Sequence, residues 1–125
     1  MSKNRVARTG QPMLTFFGDL IAKKHIESLT PDGPQTFSIS LFRTEAPGYV
    51  LAVSHQNGSS SHHWAAHTPR RLEVAGLFGQ YINESIGQGE SATRRLFEEA
   101  QQEIMVQAPE LDEMVQWSSV VADDR

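Results

Sequence analysis

Between Leu14 and His67 runs of alternating apolar and polar residues recur between turn signals, and beyond that the apolar positions recur at helical spacing, so the order of elements is visible before any chemistry is considered. From Thr36 to Arg43, Phe37, Ile39 and Leu41 take one face while Thr36, Ser38 and Ser40 take the other, the period of a half-buried strand. Phe42 breaks the alternation near the strand end and implies that the second face is covered there. Thr44-Glu45-Ala46-Pro47-Gly48 supplies a Pro-Gly turn, after which Tyr49, Leu51 and Val53 resume the alternation, so residues 36–55 form a hairpin.

Upstream, Leu14 to Leu29 has even positions reading Leu14, Phe16, Gly18, Leu20, Ala22, Lys24 and Ile26, a strand face with one lapse at Lys24. A helix would instead group Leu14, Phe17, Ile21 and His25, but Gly18 would cost it about 1 kcal/mol, and Phe16-Phe17 and Ile21 suit a pleated surface. The strand is favoured over the helix. Thr30-Pro31-Asp32-Gly33-Pro34 then stacks turn-forming residues into a reversal. Asn57-Gly58, followed by Ser59-Ser60-Ser61, is a further turn signal, beyond which His62 to His67 can form a fourth strand centred on Trp64.

Thr68 and Pro69 mark a helix start, with an expected buried face of Leu72, Ala75, Phe78 (with Leu77) and Ile82 (with Tyr81), ended by Gly87 and Gly89. Ser91 caps a second helix from Ala92 to about Gln107, whose Leu96, Phe97, Ala100 and Ile104 share one side. Pro109 pushes Ala108 out of the α region and opens a short third helix carrying Leu111, Met114, Val115 and Trp117. The expected fold class is α+β: a three- to four-stranded antiparallel meander sheet followed by two or three amphipathic helices packed on one face. The other sheet face, rich in Ser, Thr and His, is expected to meet solvent or a second copy. Residues 1–12 read as a flexible basic arm, 13–117 as a single domain and 118–125 as an acidic disordered tail.

Composition narrows the classes. At 125 residues, 38% hydrophobic and 21% charged, the chain is long enough to bury one core. It has no cysteine, which excludes disulfides, thiolate metal sites and cysteine nucleophiles. No apolar run approaches the roughly 20 residues needed to cross a bilayer, and the basic N-terminus lacks an apolar stretch behind it, so a cytoplasmic location without membrane contact is expected. The net charge of −4 is uneven: residues 1–25 carry five Lys/Arg against one Asp, and residues 90–125 carry three Arg against nine acids. Such ends serve solubility, or attract a nucleic acid through the basic arm and a basic partner through the tail.

The concentrated chemical signal is histidine: His55, His62, His63 and His67 are the candidate metal ligands. On a strand, His63 and His67 share a face but stand roughly 13 Å apart, too far for one ion. A hairpin through Asn57-Gly58 can instead bring His55 beside His62 or His63, leaving a carboxylate still to be found. Ser59 to Ser61 lack a Gly-x-Ser-x-Gly elbow, Gly87-Gln88-Gly89-Glu90-Ser91 lacks the lysine of a phosphate loop, and the adjacent acids Glu98-Glu99 point about 100° apart on a helix. No catalytic set is complete and no cofactor is implied.

Phe17-Gly18-x-x-Ile21-Ala22, followed by Leu41-Phe42-Arg43-Thr44 and Gly48-Tyr49-Val50-Leu51, loosely resembles the small bacterial EXLDI-type proteins. That family shares a Gly-x-x-Leu-Ala start, a Tyr-Arg-Thr strand and a Gly-(aromatic)-Val hairpin partner. The resemblance spans residues 16–53 only, and Glu110-Leu111-Asp112-Glu113 lacks the intervening residue and final Ile of the family's ending. The family has no assigned activity, so the resemblance implies the sheet and adds no site.

The leading expectation is a non-enzymatic accessory or inhibitor protein, of the kind carried by phages and other mobile elements, that binds a macromolecule, a protein first, through Trp64, Arg70 and Arg71. The alternatives are a histidine-dependent, metal-assisted hydrolase built on His55, His62, His63 and His67, and a homodimeric module that holds a small molecule between subunits or between helix and sheet.

Overall fold

The computed structural model describes residues 2–31, 33–45, 48–87 and 91–108. Its strands are β1 (Ser2–Arg8), β2 (Gln11–Thr30), β3 (Gly33–Thr44), β4 (Tyr49–Asn57) and β5 (Ser60–Thr68), all antiparallel and hydrogen-bonded in sequence order. Two helices follow, α1 (Val74–Tyr81), flanked by the short helical turns Arg71–Glu73 and Ile82–Ile86, and α2 (Ala92–Gln107). The α+β class and the antiparallel meander are as expected. The strand count is not: there are five, because residues expected to form an arm outside the fold are β1 and the start of β2. The expected third helix and the 118–125 tail lie outside the described residues.

The twenty-residue β2 is the organising element. Its first part pairs with β1 and its second with β3, and the two ladders meet at Gly18, which faces both Ser2 and Thr44. The sheet bends there, so the β1–β2 hairpin folds across the sheet face that the helices do not cover. Backbones come so close at this bend that a Cβ on Gly18 would lie 2.5 Å from the Arg43 carbonyl oxygen, a contact only glycine avoids. Just beyond, pairing steps from Leu20–Phe42 to Ala22–Leu41 and leaves Ile21 as a bulge. One extra residue exchanges the two faces of a strand. Even positions before the bulge therefore face the hairpin side, where Phe16 meets Phe42 edge-on at 5.0 Å, and even positions after it, Ala22 and Ile26, face the helices. Phe42 is the break in alternation that signalled this second covered face.

The main core lies between sheet and helices. Phe37, Ile39, Leu41, Leu51 and Val53 meet Val74, Phe78, Tyr81, Phe97 and Ile104, and burial of such side chains supplies about 1.5–3 kcal/mol each. The α1 face differs from expectation: Val74, Leu77, Phe78, Tyr81 and Ile82 are buried, whereas Leu72 is 70% exposed and Ala75 also faces outward. Helical turns begin at Arg71 rather than next to Pro69, and the apolar stripe phases on Val74. The second helix is as read, with the Ser91 hydroxyl accepting from the Arg94 N–H at 3.0 Å and Ala108 extended. No helix among the described residues is long and apolar enough to cross a membrane.

Candidate ligand cavity

Three turns decide what the uncovered sheet face presents. The connections between successive strands place His25 of β2 opposite Ser38 of β3, Ser38 opposite Ser54 of β4, and Ser54 opposite His63 of β5. Four residues far apart in sequence thus form one row, His25–Ser38–Ser54–His63, across the sheet. Cross-strand neighbours have Cβ atoms about 5 Å apart, and the row is closed by hydrogen bonds: His25 Nδ1 to Ser38 Oγ and His63 Nδ1 to Ser54 Oγ, each at 2.9 Å. The next row reads Lys23–Ser40–Ala52–Ala65, and the one beyond Leu20–Phe42–Val50–His67. Polarity therefore falls across β2, β3 and β4, from His25, Ser38 and Ser54 to Leu20, Phe42 and Val50, while β5 ends the last row with His67.

The β1–β2 hairpin roofs this face. Its Val6 and Ala7, with Lys23, Phe42, Ala52 and the His/Ser row, enclose a cavity of about 520 Å³, within the range of small-molecule sites. A recess of about 150 Å³ adjoins it and is lined by Thr36, Gln56 and Ser61 beside the same row. At the roof's far end, the Thr9 N–H donates to the His63 carbonyl and the His63 N–H donates to Thr9 Oγ1, both at 2.8 Å. These two bonds tie the hairpin turn to β5 and bring the sheet close to a barrel.

The sequence candidates divide between the two faces. His55 and His62 are direct cross-strand partners on the helix side. His55 stacks on Phe37 with centroids 4.2 Å apart and donates from Nε2 to Gln35 Oε1 at 2.8 Å, an oxygen that also accepts from Thr93 Oγ1. Burial, and then the neighbouring His62, hold the His55 imidazole below the ordinary histidine range. His63 and His67 point to the cavity side. The four do not converge, and among the described residues no group of three or more His, Asp or Glu can hold a metal ion. Trp64 is 8% exposed and belongs to the core, edge-on to Tyr81 with its Nε1 donating to Glu84 at 3.1 Å. It does not join Arg70 and Arg71, which lie exposed at the start of the helical segment, Arg70 pairing with Glu73 at 3.9 Å.

His25, Ser38 and Ser54 were not candidates on sequence, since His25 was read only as part of a basic stretch and the serines only as a polar face. Ser38, His25 and Glu27 also fall in line, but His25 Nε2 stands 3.8 Å from the Glu27 carboxylate, with side chains 57% and 74% exposed. That separation exceeds a hydrogen bond, so the carboxylate does not orient the imidazole as a nucleophile-activating chain requires.

The fold and cavity define a class: a bent antiparallel sheet with helices on one face and a roofed polar-to-apolar cavity on the other. Against known proteins the chain matches no family model, no curated protein and no solved structure. The resemblance over residues 16–53 accordingly stands on its motifs alone.

Proposed function

We propose that the protein is a small-molecule-binding module whose ligand lies between the β1–β2 hairpin and the His25–Ser38–Ser54–His63 row. The observation that carries this reading is the 520 Å³ cavity with convergent polar side chains at one end and apolar ones at the other. The sequence-based version of this reading placed the ligand between subunits or between helix and sheet, whereas the cavity lies between the sheet and the chain's own β1–β2 hairpin. Trp64, the aromatic anchor of the macromolecule-binding alternative, is occupied in the core, which leaves that alternative without its central contact.

The test is a fragment screen by two-dimensional NMR on the intact protein. Compounds that bind as proposed shift the amide resonances of Lys23, Ser38, Ser40, Ser54 and His63 together while those of α2 stay put. If no compound in a chemically broad set perturbs these residues, the module reading is wrong.

A further inference from the structure

Resting on that reading, we infer that the cavity takes a monocarboxylic acid with a short apolar chain, its carboxylate on Ser38, Ser54 and Lys23 and its chain running under the hairpin toward Phe42. The charge inventory comes first. Among the described residues Lys23 is the one permanently charged side chain lining the cavity, and no carboxylate lines it. Glu27, beside His25, is not part of the lining, and among the described residues none pairs with Lys23. A cavity with an unmatched cation and no anion favours a negatively charged guest.

The hydroxyls set the geometry of its head. Ser38 and Ser54 face each other on adjacent strands, and each oxygen is held from its outer side by an imidazole nitrogen at 2.9 Å. When His25 and His63 donate from Nδ1, each serine oxygen accepts one hydrogen bond and its O–H is left to donate inward. Two donors about 5 Å apart straddle a group offering two acceptor oxygens side by side, which is what a carboxylate presents. One fixed cation matches a monoanion; a phosphate dianion is ordinarily met by arginine forks or several positive groups, and no arginine lines this cavity.

The polarity gradient sets the tail. Two steps of side-chain alternation separate Ser38 from Phe42, roughly 13 Å along the strand at 3.3 Å per residue. Over that distance the lining changes to Ala52, Val6 and Phe42. A polar acid with no chain would leave this apolar end wet, whereas an aliphatic chain gains about 0.8 kcal/mol per methylene it buries.

The experiment titrates the full chain with octanoate, octanol and inorganic phosphate by isothermal calorimetry, with NMR shifts locating each site, and repeats it on Lys23→Ala and on Ser38→Ala/Ser54→Ala. Octanoate is expected to bind at the cavity at least tenfold more tightly than octanol, and Lys23→Ala and the double serine variant are each expected to abolish that preference. Circular dichroism of both variants checks that they remain folded, and Lys23→Arg, which keeps the charge, is expected to retain the preference. Octanol binding at the cavity as tightly as octanoate, or phosphate binding in preference to it, overturns the ligand class while the module reading stands. Failure of all three compounds to perturb the cavity residues also overturns the ligand class, and the module reading then stands or falls by the broad fragment screen.

Discussion

Replacing Gly18 with alanine tests the bend on which the cavity depends. The added Cβ would stand 2.5 Å from the Arg43 carbonyl oxygen, 3.1 Å from the Thr44 Cα and 3.2 Å from the Arg43 carbonyl carbon, all backbone atoms that no rotamer change can move. To reach even 3.0 Å, β2 and β3 must part by about 0.5 Å at their crossing, and overpacking of this kind costs about 1–3 kcal/mol. The Glu45 N–H bond to the Phe17 carbonyl, 2.8 Å, and the Asn4 side-chain bond to the Gly18 carbonyl, 2.9 Å, flank that crossing, and loosening them costs about 1 kcal/mol more. Reduced freedom of the unfolded chain returns about 0.4–1 kcal/mol. The net expectation is a loss of about 2 kcal/mol, or roughly 5–10 °C in Tm for a domain of this size. Urea denaturation followed by far-ultraviolet circular dichroism measures it. Hydrogen exchange at the His63 amide, which donates to Thr9, shows whether the hairpin has lifted. A variant as stable as the parent with unchanged exchange would refute the claim that Gly18 is required by close backbone approach.

Trp64→Ala is expected to cost about 3–5 kcal/mol by emptying a core site, whereas Arg70→Ala on the exposed helix start stays within about 0.5 kcal/mol; comparable effects in chemical denaturation would contradict the burial assigned to Trp64. Tyr81 is fully buried and its hydroxyl has no hydrogen-bond partner, with burial pushing the phenol well above its ordinary range. Tyr81→Phe removes that orphan donor and is expected to raise stability by about 1 kcal/mol, and a loss would reveal a partner for the hydroxyl. His55 is held below the ordinary histidine value of 6.5 by burial and by His62, so the unfolded chain binds its proton more readily than the folded one. Stability contributed by neutral His55 is full above that unfolded value and is lost as pH falls through the lower folded one. His55→Gln, measured by thermal melts from pH 7.5 to 4.5, should flatten the fall below pH 6.5, and an identical profile in both proteins would remove His55 from the account.

Legibility differed between the elements for physical reasons. The β3–β4 hairpin and α2 were readable because each carries a single period and its own punctuation: Pro-Gly between the strands, Ser91 and Pro109 around the helix. The reading of 14–29 as a strand held, but one alternating series hid two faces, since the bulge at Ile21 hands its even positions from the hairpin side to the helix side without interrupting the pattern. Residues 1–12 looked like an arm because their alternation is carried by Asn4, Val6 and Arg8, a face too polar to announce a strand. Its polar members bond neighbouring backbone, Asn4 the Gly18 carbonyl and Arg8 the Pro12 carbonyl, while Val6 lines the cavity.

The candidate site was invisible for a related reason. Motif reading searches for reactive residues at short sequence spacing, and by that measure His62-His63 with His67 and His55 was the signal. Alternation, however, sends neighbours to opposite faces, so the densest histidine cluster is the one a sheet is bound to scatter: His55 and His62 went to the helix side, His63 to the cavity, and His67 to the same face outside the cavity lining. What a meander gathers are residues reflected through successive turns. His25, Ser38, Ser54 and His63 are such a set, each the mirror of the last across a turn the sequence marks. The same reflection carries Lys23 onto Ser40 and Ala52, and Phe42 onto Val50, which generates the polar-to-apolar gradient of the cavity. In a meander with well-marked turns, reflecting each polar residue through them is therefore the operation that exposes a ligand row, and here it selects the hydroxyls and imidazoles that the fold leaves facing an enclosed space.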